Sequence, residues 1–490
     1  MFNSVVEAVF SYAETQGEKL CLADEKCEVT YKEYKNLICR LAALLKNKGI
    51  DKYDKVVIEA SQTVEFLATE LALQLLGAIF VPLERNCSKE KLLSVATTAE
   101  ASLIISLKDI ESDENFKLIT MSELTEKVQS EPMLTDYSFP SGEDISELLF
   151  STGTTGKEKG IIITHRNDIA LAENVIHGVK LQKDNVELIP SPLNHSHGLR
   201  RYYGNMVQGA TVILVSSIMN VMGFFGMMDK YKVNSIDLVP TALSVILRLS
   251  KGKFAEYKDV LRYIQFGAAP LSDNDKELIR SLLPKTHLYN FYGSTESGCI
   301  CIYDFNDGKD KPKCIGKPAY NAKIIIVDDD RNEIASSKHN TGLLASFGSM
   351  NMSGYWRDEE ETARALINGG IYSNDEAYFD EDGDIILLGR KGDVINIGGN
   401  KVSPDEIEDV AKKHHSVADC GCIAVKDELK GSVPKLFVQV KKGSEFNAME
   451  IRSHLQNNLE PYKVPDLIEQ IDKIPRSFNG KLLRRELKNI

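Results

Sequence analysis

A short polar loop in the first half of the chain has the composition of a phosphate-binding site. The segment Ser151 to Gly160, STGTTGKEKG, contains three glycines, four hydroxyl side chains and two lysines. Backbone N–H groups, hydroxyls and ammonium groups are the donors that bind phosphate oxygens. The loop does not fit the Walker A pattern, because only two residues separate Gly153 from Gly156 and an acidic residue follows Lys157. The sequence therefore predicts a phosphate loop that does not belong to a P-loop ATPase.

The loop is fixed between two apolar segments. Leu148 to Phe150 precede it and Ile161 to Ile163 follow it, and both have the character of strands. A helix is predicted to begin at Asn167, because apolar residues then recur at helical spacing as far as Val179. A loop held at both ends suits a role in wrapping an anion better than that of a flexible turn.

The elements before the loop alternate between strand and helix. Lys55 to Glu59 and Ala78 to Pro82 are predicted as buried strands. Apolar residues from Val64 to Leu75 predict a helix between them, which ends at Gly77. This β-α-β order predicts parallel strands flanked by helices.

The texture of the sequence changes near residue 390. Asp380 to Asp384 is predicted to turn, and a polar break follows from Gly389 to Asp393. The remaining residues, roughly a hundred, have their own strand and helix alternation, which is enough for a small domain. We predict an α/β protein with a large N-terminal domain of parallel sheets flanked by helices (residues 1–389) and a smaller α+β domain (residues 390–490).

The composition is that of an ordinary soluble protein with sizeable cores, since 43% of the 490 residues are hydrophobic and 27% are charged. The net charge of −12 argues against a nucleic-acid-binding protein. The nine cysteines form no CxxC pair and no signal peptide opens the chain, which favours reduced, mostly buried cysteines in a cytoplasmic protein. The most apolar region, Ile218 to Met228, is shorter than a membrane span, so no integral membrane segment is predicted.

Several motifs, in a fixed order along the chain, together resemble one family. They are Ser151–Gly160, Pro192–Gly198, Gly267–Pro270, Asn290–Glu296, Ser373–Asp375, Gly389–Arg390, Gly398–Gly399 and Pro475–Lys481. With these motifs the chain resembles the acyl-adenylate-forming enzymes, a superfamily that includes acyl- and aryl-CoA synthetases, adenylation domains and firefly luciferase. The carboxylic acid:CoA ligases are the members it resembles most. The resemblance covers nearly the whole chain and implies a mobile C-terminal domain.

The resemblance implies a nucleotide site for ATP and AMP. Its implied members are Ser151, Thr152, Gly153, Thr154, Thr155, Gly156, Lys157, Gly267, Ala268, Ala269, Pro270, Asn290, Phe291, Tyr292, Gly293, Ser294, Thr295, Asp375, Arg390 and Lys481. Among these, Tyr292 is expected to stack on adenine, Asp375 to accept the ribose hydroxyls with the help of Arg390, and Thr295 to bind the α-phosphate. Glu296 is expected to bind Mg²⁺. Taken singly, Asp375 is equally compatible with a turn, Glu296 with a helix cap and Tyr292 with the core.

The implied catalytic residues are Lys481, His195, Thr295 and Glu296. Lys481 is expected to neutralise charge between the acid and the α-phosphate, although it also belongs to a basic run of residues near the C-terminus. Gly392 is implied as the hinge of the small domain. After the domain rotates, Asn396, Gly398, Gly399 and Lys401 are expected to face CoA and the thioester.

The implied acid pocket consists of His195, Ser196, Gly267, Ala268 and Phe291. Ser196 stands where relatives that activate amino acids have aspartate, and Phe291 where relatives that use malonate have arginine. Both differences argue against those substrates and favour an aromatic or a short-to-medium aliphatic acid in an apolar pocket. The neighbouring Arg200 and Arg201 are open to three interpretations: extension to solvent, which is favoured, contact with a CoA phosphate, or pairing with an acidic group of the substrate.

The function that these features imply is ATP-dependent activation of a carboxylic acid to acyl-AMP, followed by acyl transfer to CoA. ATP and Mg²⁺ are the implied cofactors and CoA is the co-substrate. One alternative is a stand-alone adenylating enzyme that loads the phosphopantetheine of a separate carrier protein. A second is a nucleotide-binding protein that has lost catalysis, which the presence of Glu296, Asp375, Arg390 and Lys481 argues against.

Overall fold

The computed structural model describes residues 2–110, 114–152, 158–267, 271–308, 310–397, 400–427, 431–476 and 482–490. Helices in these ranges are α1 (Val5–Thr15), α2 (Tyr31–Asn47), α3 (Val64–Leu76), α4 (Lys89–Ala99), α5 (Met121–Val128), α6 (His165–Val179), α7 (Ser196–Gln208), α8 (Val221–Tyr231), α9 (Pro240–Leu249), α10 (Asp273–Leu282), α11 (Glu359–Ala365), α12 (Pro404–Lys412), α13 (Ala448–Gln456) and α14 (Arg484–Leu487).

The strands of the first half of the chain are β1 (Leu20–Ala23), β2 (Glu28–Thr30), β3 (Lys55–Glu59), β4 (Ile79–Leu83), β5 (Ala101–Ser106), β6 (Leu118–Thr120), β7 (Ile145–Thr152), β8 (Glu158–Thr164), β9 (Val186–Ile189), β10 (Thr211–Leu214), β11 (Ser235–Leu238) and β12 (Tyr263–Phe266). Those of the second half are β13 (His287–Ser294), β14 (Gly298–Asp304), β15 (Cys314–Pro318), β16 (Lys323–Val327), β17 (Gly342–Phe347), β18 (Gly354–Tyr355), β19 (Leu366–Ile367), β20 (Gly370–Phe379), β21 (Ile385–Arg390), β22 (Ile395–Ile397), β23 (Asn400–Val402), β24 (Val417–Asp427), β25 (Gly431–Val440) and β26 (Leu467–Gln470).

These strands form three sheets. One sheet has the order β18-β8-β7-β4-β3-β5-β6, and a longer one has the order β16-β17-β20-β21-β15-β14-β13-β12-β11-β9-β10-β1-β2, with β19 beside β20. The third contains β23-β22-β25-β24, with β26 beside β25. The predicted α/β fold, with a large N-terminal domain and a smaller C-terminal domain, is confirmed, while the boundary at residues 389 and 390 stays a prediction.

Each of the two large sheets contains a continuous run of parallel strands. The run from β1 through β10, β9, β11, β12 and β13 is parallel, as is the run from β7 through β4, β3, β5 and β6. Antiparallel strands continue both sheets, from β14 onward in one and from β8 onward in the other. The β-α-β pattern predicted the parallel part and gave no indication of the antiparallel extensions.

Local sequence explains the predicted β-α-β unit. Strand β3, helix α3 and strand β4 lie where they were predicted, and β3 pairs with β4 in parallel. Helix α3 ends at Gly77 in the left-handed conformation (φ 71°), which glycine adopts without a steric penalty. The predicted start of α6 at Asn167 is wrong by two residues. Asn167 lies in the first turn, where its side chain accepts the backbone N–H of Thr164 at 2.9 Å in a capping box.

The largest core joins the two large sheets through the helices between them. It includes Phe80 of β4 and Val212 of β10, and the small domain has a core of its own around Ile407 and Leu436. Most of the cysteines are buried, as expected, and all nine are free thiols. Among the described residues there is no helix of the length and apolarity that crossing a membrane requires.

Candidate active site

The segment Asn290–Ser294 lies on strand β13, which turns back sharply into β14. The pairing shifts register beside Gly293, where a Cβ atom would lie 1.7 Å from the carbonyl oxygen of Gly298. Only glycine fits this close approach. The turn is closed by two serines, since the N–H of Ser297 donates to Ser294 Oγ at 3.1 Å and the N–H of Ser294 donates to Ser297 Oγ at 3.2 Å. The residues between them, at positions 295 and 296, are held at the tip of a rigid hairpin.

Glu296 lies where this hairpin meets the strand that leaves the predicted phosphate loop. The hydroxyl of Tyr355 donates to Glu296 Oε1 at 3.1 Å, and the N–H of Met352 donates to the Glu296 carbonyl at 2.7 Å. Tyr355 pairs across the sheet with Ile161 of β8. Burial raises the pKa of Tyr355, with a further contribution from the Glu296 charge, so its hydroxyl stays a donor at neutral pH. One tyrosine therefore positions the Glu296 carboxylate beside the exit of the loop.

The two described ends of the phosphate loop lie opposite each other, because Ser151 of β7 pairs with Lys159 of β8. The ammonium group of Lys159 lies 5.3 Å from the centre of the Tyr355 ring and 2.5 Å from Glu361 Oε2. Lys159 is thus bound to a carboxylate of the protein. Residues Gly153 to Lys157 and the side chain of Thr152 lie outside the described residues, so their contact with phosphate stays a prediction.

The residues predicted for adenine and ribose lie together. The hydroxyl of Tyr292 donates to Asp375 Oδ2 at 2.5 Å. Arg390, which pairs with Asp375 across strands β20 and β21, has its Nε atom 3.4 Å from Asp375 Oδ1. Burial, followed by the Asp375 charge, raises the pKa of Tyr292, which keeps its hydroxyl protonated. The arrangement leaves an aromatic ring and a carboxylate next to each other at the end of β13, as adenosine recognition requires.

The predicted acid side of the site is formed by the start of helix α7 and the end of strand β12. His195 precedes α7 as an exposed N-cap residue, and Ser196 is the first residue of the helix. Gly267 follows β12 and is buried against His197, so that a Cβ atom there would lie 2.5 Å from His197 Cε1. His197 Nε2 lies 2.8 Å from Asp237 Oδ1. Residues 268–270 lie outside the described residues.

The expectation that Arg200 and Arg201 extend to solvent is wrong, because both side chains are only 2% exposed. Arg200 pairs with Glu147 and, at 2.9 Å between Nη1 and Oδ1, with Asp168. The physical reason is that α7 is buried from Gly198 to Met206, so a long side chain cannot reach water and meets buried carboxylates instead.

Arg201 points to a different side of α7, because successive helical residues are rotated by about 100°. Its guanidinium carbon lies 3.7 Å from the centre of the Phe291 ring, and its Nε lies 3.5 Å from Asp237 Oδ1. A cation therefore covers one face of Phe291, and the apolar acid pocket stays a prediction.

Gly392, the predicted hinge, is exposed, has φ 88°, and a Cβ atom there would meet nothing within 4 Å. The N–H of Lys391 donates to the Asn374 carbonyl at 2.7 Å. Ion pairs join the small domain to the large one, among them Lys313 with Asp409 at 3.0 Å, Lys413 with Asp273 at 3.1 Å and Lys391 with Asp329 at 2.7 Å.

Two of the predicted CoA-facing residues, Asn396 and Lys401, pair with each other across strands β22 and β23. Their side chains are outside the described part of the chain, as are Gly398, Gly399 and Lys481. The roles of these five residues stay predictions.

The sequence did not single out Tyr355 or Asp237. Asp237 had a signal, because it is an acidic residue within the apolar segment Ser235–Val239, and buried charges require partners. Tyr355 follows Gly354 in a polar context that carries no comparable signal. Both act on residues that the motifs did identify.

The chain matches known protein families and characterised relatives over most of its length. The family described as AMP-binding enzyme matches residues 9–356, and the family described as AMP-binding enzyme C-terminal domain matches residues 406–481. The chain is 28% identical to a 2-succinylbenzoate–CoA ligase of Bacillus mycoides (strain KBAB4), over 96% of each chain. It is 26% identical to 4-coumarate–CoA ligase 2 of Nicotiana tabacum, over 92% of this chain and 87% of that protein.

Two solved structures share the fold. ATP-bound MatB from Rhodopseudomonas palustris superposes with a TM-score of 0.86 at 21% identity, and covers 100% of this chain and 99% of its own. The anthranilate CoA ligase AuaEII in complex with anthranoyl-AMP superposes with a TM-score of 0.87 at 20% identity, and covers 99% of this chain and 96% of its own. The likeness extends over both domains.

Proposed function

We propose, from the premise that the chain belongs to the family of AMP-binding enzymes, that it activates a carboxylic acid to acyl-AMP and transfers the acyl group to CoA. The chain is an AMP-forming acid–thiol ligase. One observation supports the position of the active site. Tyr292, Asp375 and Arg390 lie together at the end of strand β13. The turn that follows this strand contains Thr295 and Glu296.

In the first half-reaction an oxygen of the substrate carboxylate attacks the α-phosphorus of ATP, and pyrophosphate leaves with the electrons of the broken P–O bond. Two anions must meet, so the site needs donors and positive charge where charge develops. Thr295 donates to the α-phosphate, Asp375 accepts from the ribose hydroxyls, and Lys481 neutralises the charge between acid and phosphate. The uncharged ring of Tyr292 covers one face of adenine.

The residues present fit a magnesium ion. Mg²⁺ prefers oxygen ligands and commonly takes one or two carboxylates from the protein, with phosphates and water completing its shell. Glu296 offers a partly exposed carboxylate that Tyr355 holds in place at 3.1 Å. When bound, Mg²⁺ offsets the negative charge of the phosphates, and Glu296 is the residue that would hold it.

In the second half-reaction the thiol of CoA attacks the acyl carbonyl and AMP leaves. We propose that the small domain turns about Gly392 between the two steps, so that Asn396, Gly398, Gly399 and Lys401 replace Lys481 near the adenylate. A free thiol of CoA is the acceptor that fits the relatives, whose names state CoA ligases. No observation favours a carrier protein. A cytoplasmic location stays a prediction from cysteine usage.

The substrate class is a carboxylic acid with an aryl or a short-to-medium aliphatic body. The relatives named above act, by their names, on 2-succinylbenzoate and 4-coumarate, which both contain an aromatic ring. Acid-dependent exchange of pyrophosphate into ATP, measured over aryl, branched and linear acids with Mg²⁺ present, tests this directly. The absence of exchange with every acid would contradict the proposed function.

Lys481→Ala tests the role of the C-terminal lysine. We expect pyrophosphate exchange to fall by about 10²–10³-fold, because one charge-stabilising group is lost from the transition state. Thioester formation from a supplied acyl-AMP should be retained, since another face of the small domain serves that step. Lys473→Ala, at an exposed lysine of the same domain, is the control that should affect neither rate. Equal rates for Lys481→Ala and wild type in both assays would remove Lys481 from the mechanism.

A further inference from the structure

A buried guanidinium lies against the wall of the predicted acid pocket. The guanidinium carbon of Arg201 is 3.7 Å from the centre of the Phe291 ring, so one face of the cation is covered by an aromatic ring. The Nε and Nη1 atoms of Arg201 are buried and have no hydrogen-bond partner among the described residues. A guanidinium has five N–H donors, and leaving buried donors unused costs free energy. The side chain therefore has donors available for a ligand.

Among the described residues, Asp237 is the one carboxylate in ion-pair contact with Arg201. Asp237 has one oxygen in contact with two basic side chains, because its Oδ1 atom lies 2.8 Å from His197 Nε2 and 3.5 Å from Arg201 Nε. Burial opposes ionisation of Asp237, but His197 and then Arg201 hold its pKa below the usual value. A contact of 3.5 Å is long for a charged hydrogen bond, so Asp237 does not satisfy the Arg201 fork.

A second buried carboxylate in this region, that of Glu187, accepts its hydrogen bonds from other side chains. It accepts from Asn205 Nδ2 at 2.7 Å, from Gln265 Nε2 at 2.6 Å and from the Tyr263 hydroxyl at 3.1 Å. Burial raises the pKa of Glu187 to about 7, partly offset by the bond from Asn205, so a fraction of it is neutral near that pH. The charge of Arg201 lowers the pKa of Glu187, but no hydrogen bond joins the two side chains among the described residues.

The side chains of Arg201 and His197 contact two residues of the predicted acid pocket. His197, the second base on Asp237, packs directly against Gly267, while Arg201 covers Phe291. Gly267 and Phe291 follow the paired residues Phe266 and Asn290 at the carboxyl ends of the parallel strands β12 and β13. The carboxyl ends of parallel strands are where ligands bind in α/β sheets. The unpaired N–H donors of Arg201 therefore lie beside the predicted acid pocket and not in a remote part of the core.

We propose that Arg201 is a specificity-determining residue that binds a second carboxylate of the acid substrate, so that the enzyme prefers dicarboxylic acids. This rests on the proposed function, since it concerns the same acid pocket. A guanidinium and a carboxylate match in a bidentate geometry, which gives a substrate with a second carboxylate both charge and directional hydrogen bonds. A monoacid of the same length leaves the donors of Arg201 unpaired, and a site built for a polar group rejects such an analogue strongly.

The test is pyrophosphate exchange with matched pairs of acids, adipate against hexanoate and terephthalate against benzoate. We expect kcat/KM for the better diacid to exceed that of its monoacid by at least about 100-fold. Arg201→Met should bring this ratio to one or below, because the cation is lost. Arg201→Lys should keep part of the preference, since it keeps the charge but not the planar fork.

Two further variants separate a loss of specificity from a loss of folding. The double variant Arg201→Met/Asp237→Asn removes the cation together with its buried anion, so a folded enzyme is retained and the loss of diacid preference can be measured on it. Arg200→Lys, at the adjacent position of α7 but among other carboxylates, should leave the ratio unchanged.

A wild-type enzyme that uses monoacids as well as diacids, or an Arg201→Met/Asp237→Asn enzyme that keeps the preference, would overturn this inference and leave the ligase function standing. Exchange with no acid at all would instead overturn the proposed function, and the inference with it.

Discussion

Arg200 and Arg201 are neighbours on one helix, but they lie in two differently charged regions. Around Arg200 the acids are in excess: Glu147, Asp168 and Glu70 share one guanidinium among the described residues. Around Arg201 a single carboxylate, that of Asp237, is in contact with both Arg201 and His197 among the described residues.

The two regions differ in how closely carboxylates approach the guanidinium, although Nε and Nη1 of both arginines have no hydrogen-bond partner among the described residues. In the Arg200 region, Ser146 donates to Asp168 Oδ2 at 2.6 Å and the Tyr203 hydroxyl binds Glu70 and Glu147. Burial raises the pKa values of Glu70 and Asp168. The guanidinium of Arg200 pairs with both Glu147 and Asp168, whereas that of Arg201 has one carboxylate contact, with Asp237 at 3.5 Å. We infer that the first region holds the fold and the second receives substrate.

The largest effect should come from breaking the first region. Arg200→Met leaves Glu147 and Asp168 buried without a counter-charge, and we expect the free energy of unfolding to fall by about 3–5 kcal/mol. Chemical denaturation measures this, and the ratio of diacid to monoacid activity should not change in the protein that stays folded. A variant with wild-type stability and an altered acid preference would reverse the assignment of the two regions.

These two regions also show what the sequence can and cannot predict. The β-α-β unit follows from local patterns, and the family resemblance implied the group of Tyr292, Asp375 and Arg390, which the structure brings together. The partners of Arg200 could not be predicted, because Glu147 is 53 residues away and lies on strand β7, whereas Arg200 lies on helix α7. Long-range pairing of buried charges depends on the tertiary fold and leaves no periodic signal in the chain.

Substitutions among Tyr292, Asp375 and Arg390 should weaken the binding of ATP and leave the free energy of unfolding nearly unchanged. Tyr292→Phe removes the hydroxyl that donates to Asp375 at 2.5 Å, and a hydrogen bond to a charged group contributes about 1.5–3 kcal/mol. Because Asp375 is partly exposed, we expect the lower end, a rise of about 10-fold in KM for ATP with a smaller change in kcat. Steady-state kinetics of pyrophosphate release measure both parameters.

Tyr289→Phe is the matched control for this change, because Tyr289 lies on the same strand but packs with Val175 and Phe291. It should leave KM for ATP unchanged. A fall in the free energy of unfolding for Tyr292→Phe, without any change in KM, would place Tyr292 with the structural residues and not with the site.

An effect of comparable size should come from the hinge, which bears on neither charged region and instead separates the two half-reactions. Gly392 has φ 88°, and a Cβ atom there would meet no other residue within 4 Å. The penalty for Gly392→Ala is therefore that of placing alanine in the left-handed backbone conformation, about 1–2 kcal/mol. That penalty applies only to the domain arrangement that requires this backbone conformation. We therefore expect the ratio of the adenylation rate to the rate of thioester formation to change by about 5–30-fold.

Gly443→Ala provides a control with the same backbone penalty. Gly443 lies in the small domain, has φ 87° and also has open space around its Cα. Its substitution should lower stability slightly and leave the ratio of the two rates unchanged. If both alanine variants change the two rates equally, the small domain does not turn about Gly392, and the pivot must lie elsewhere between the two domains.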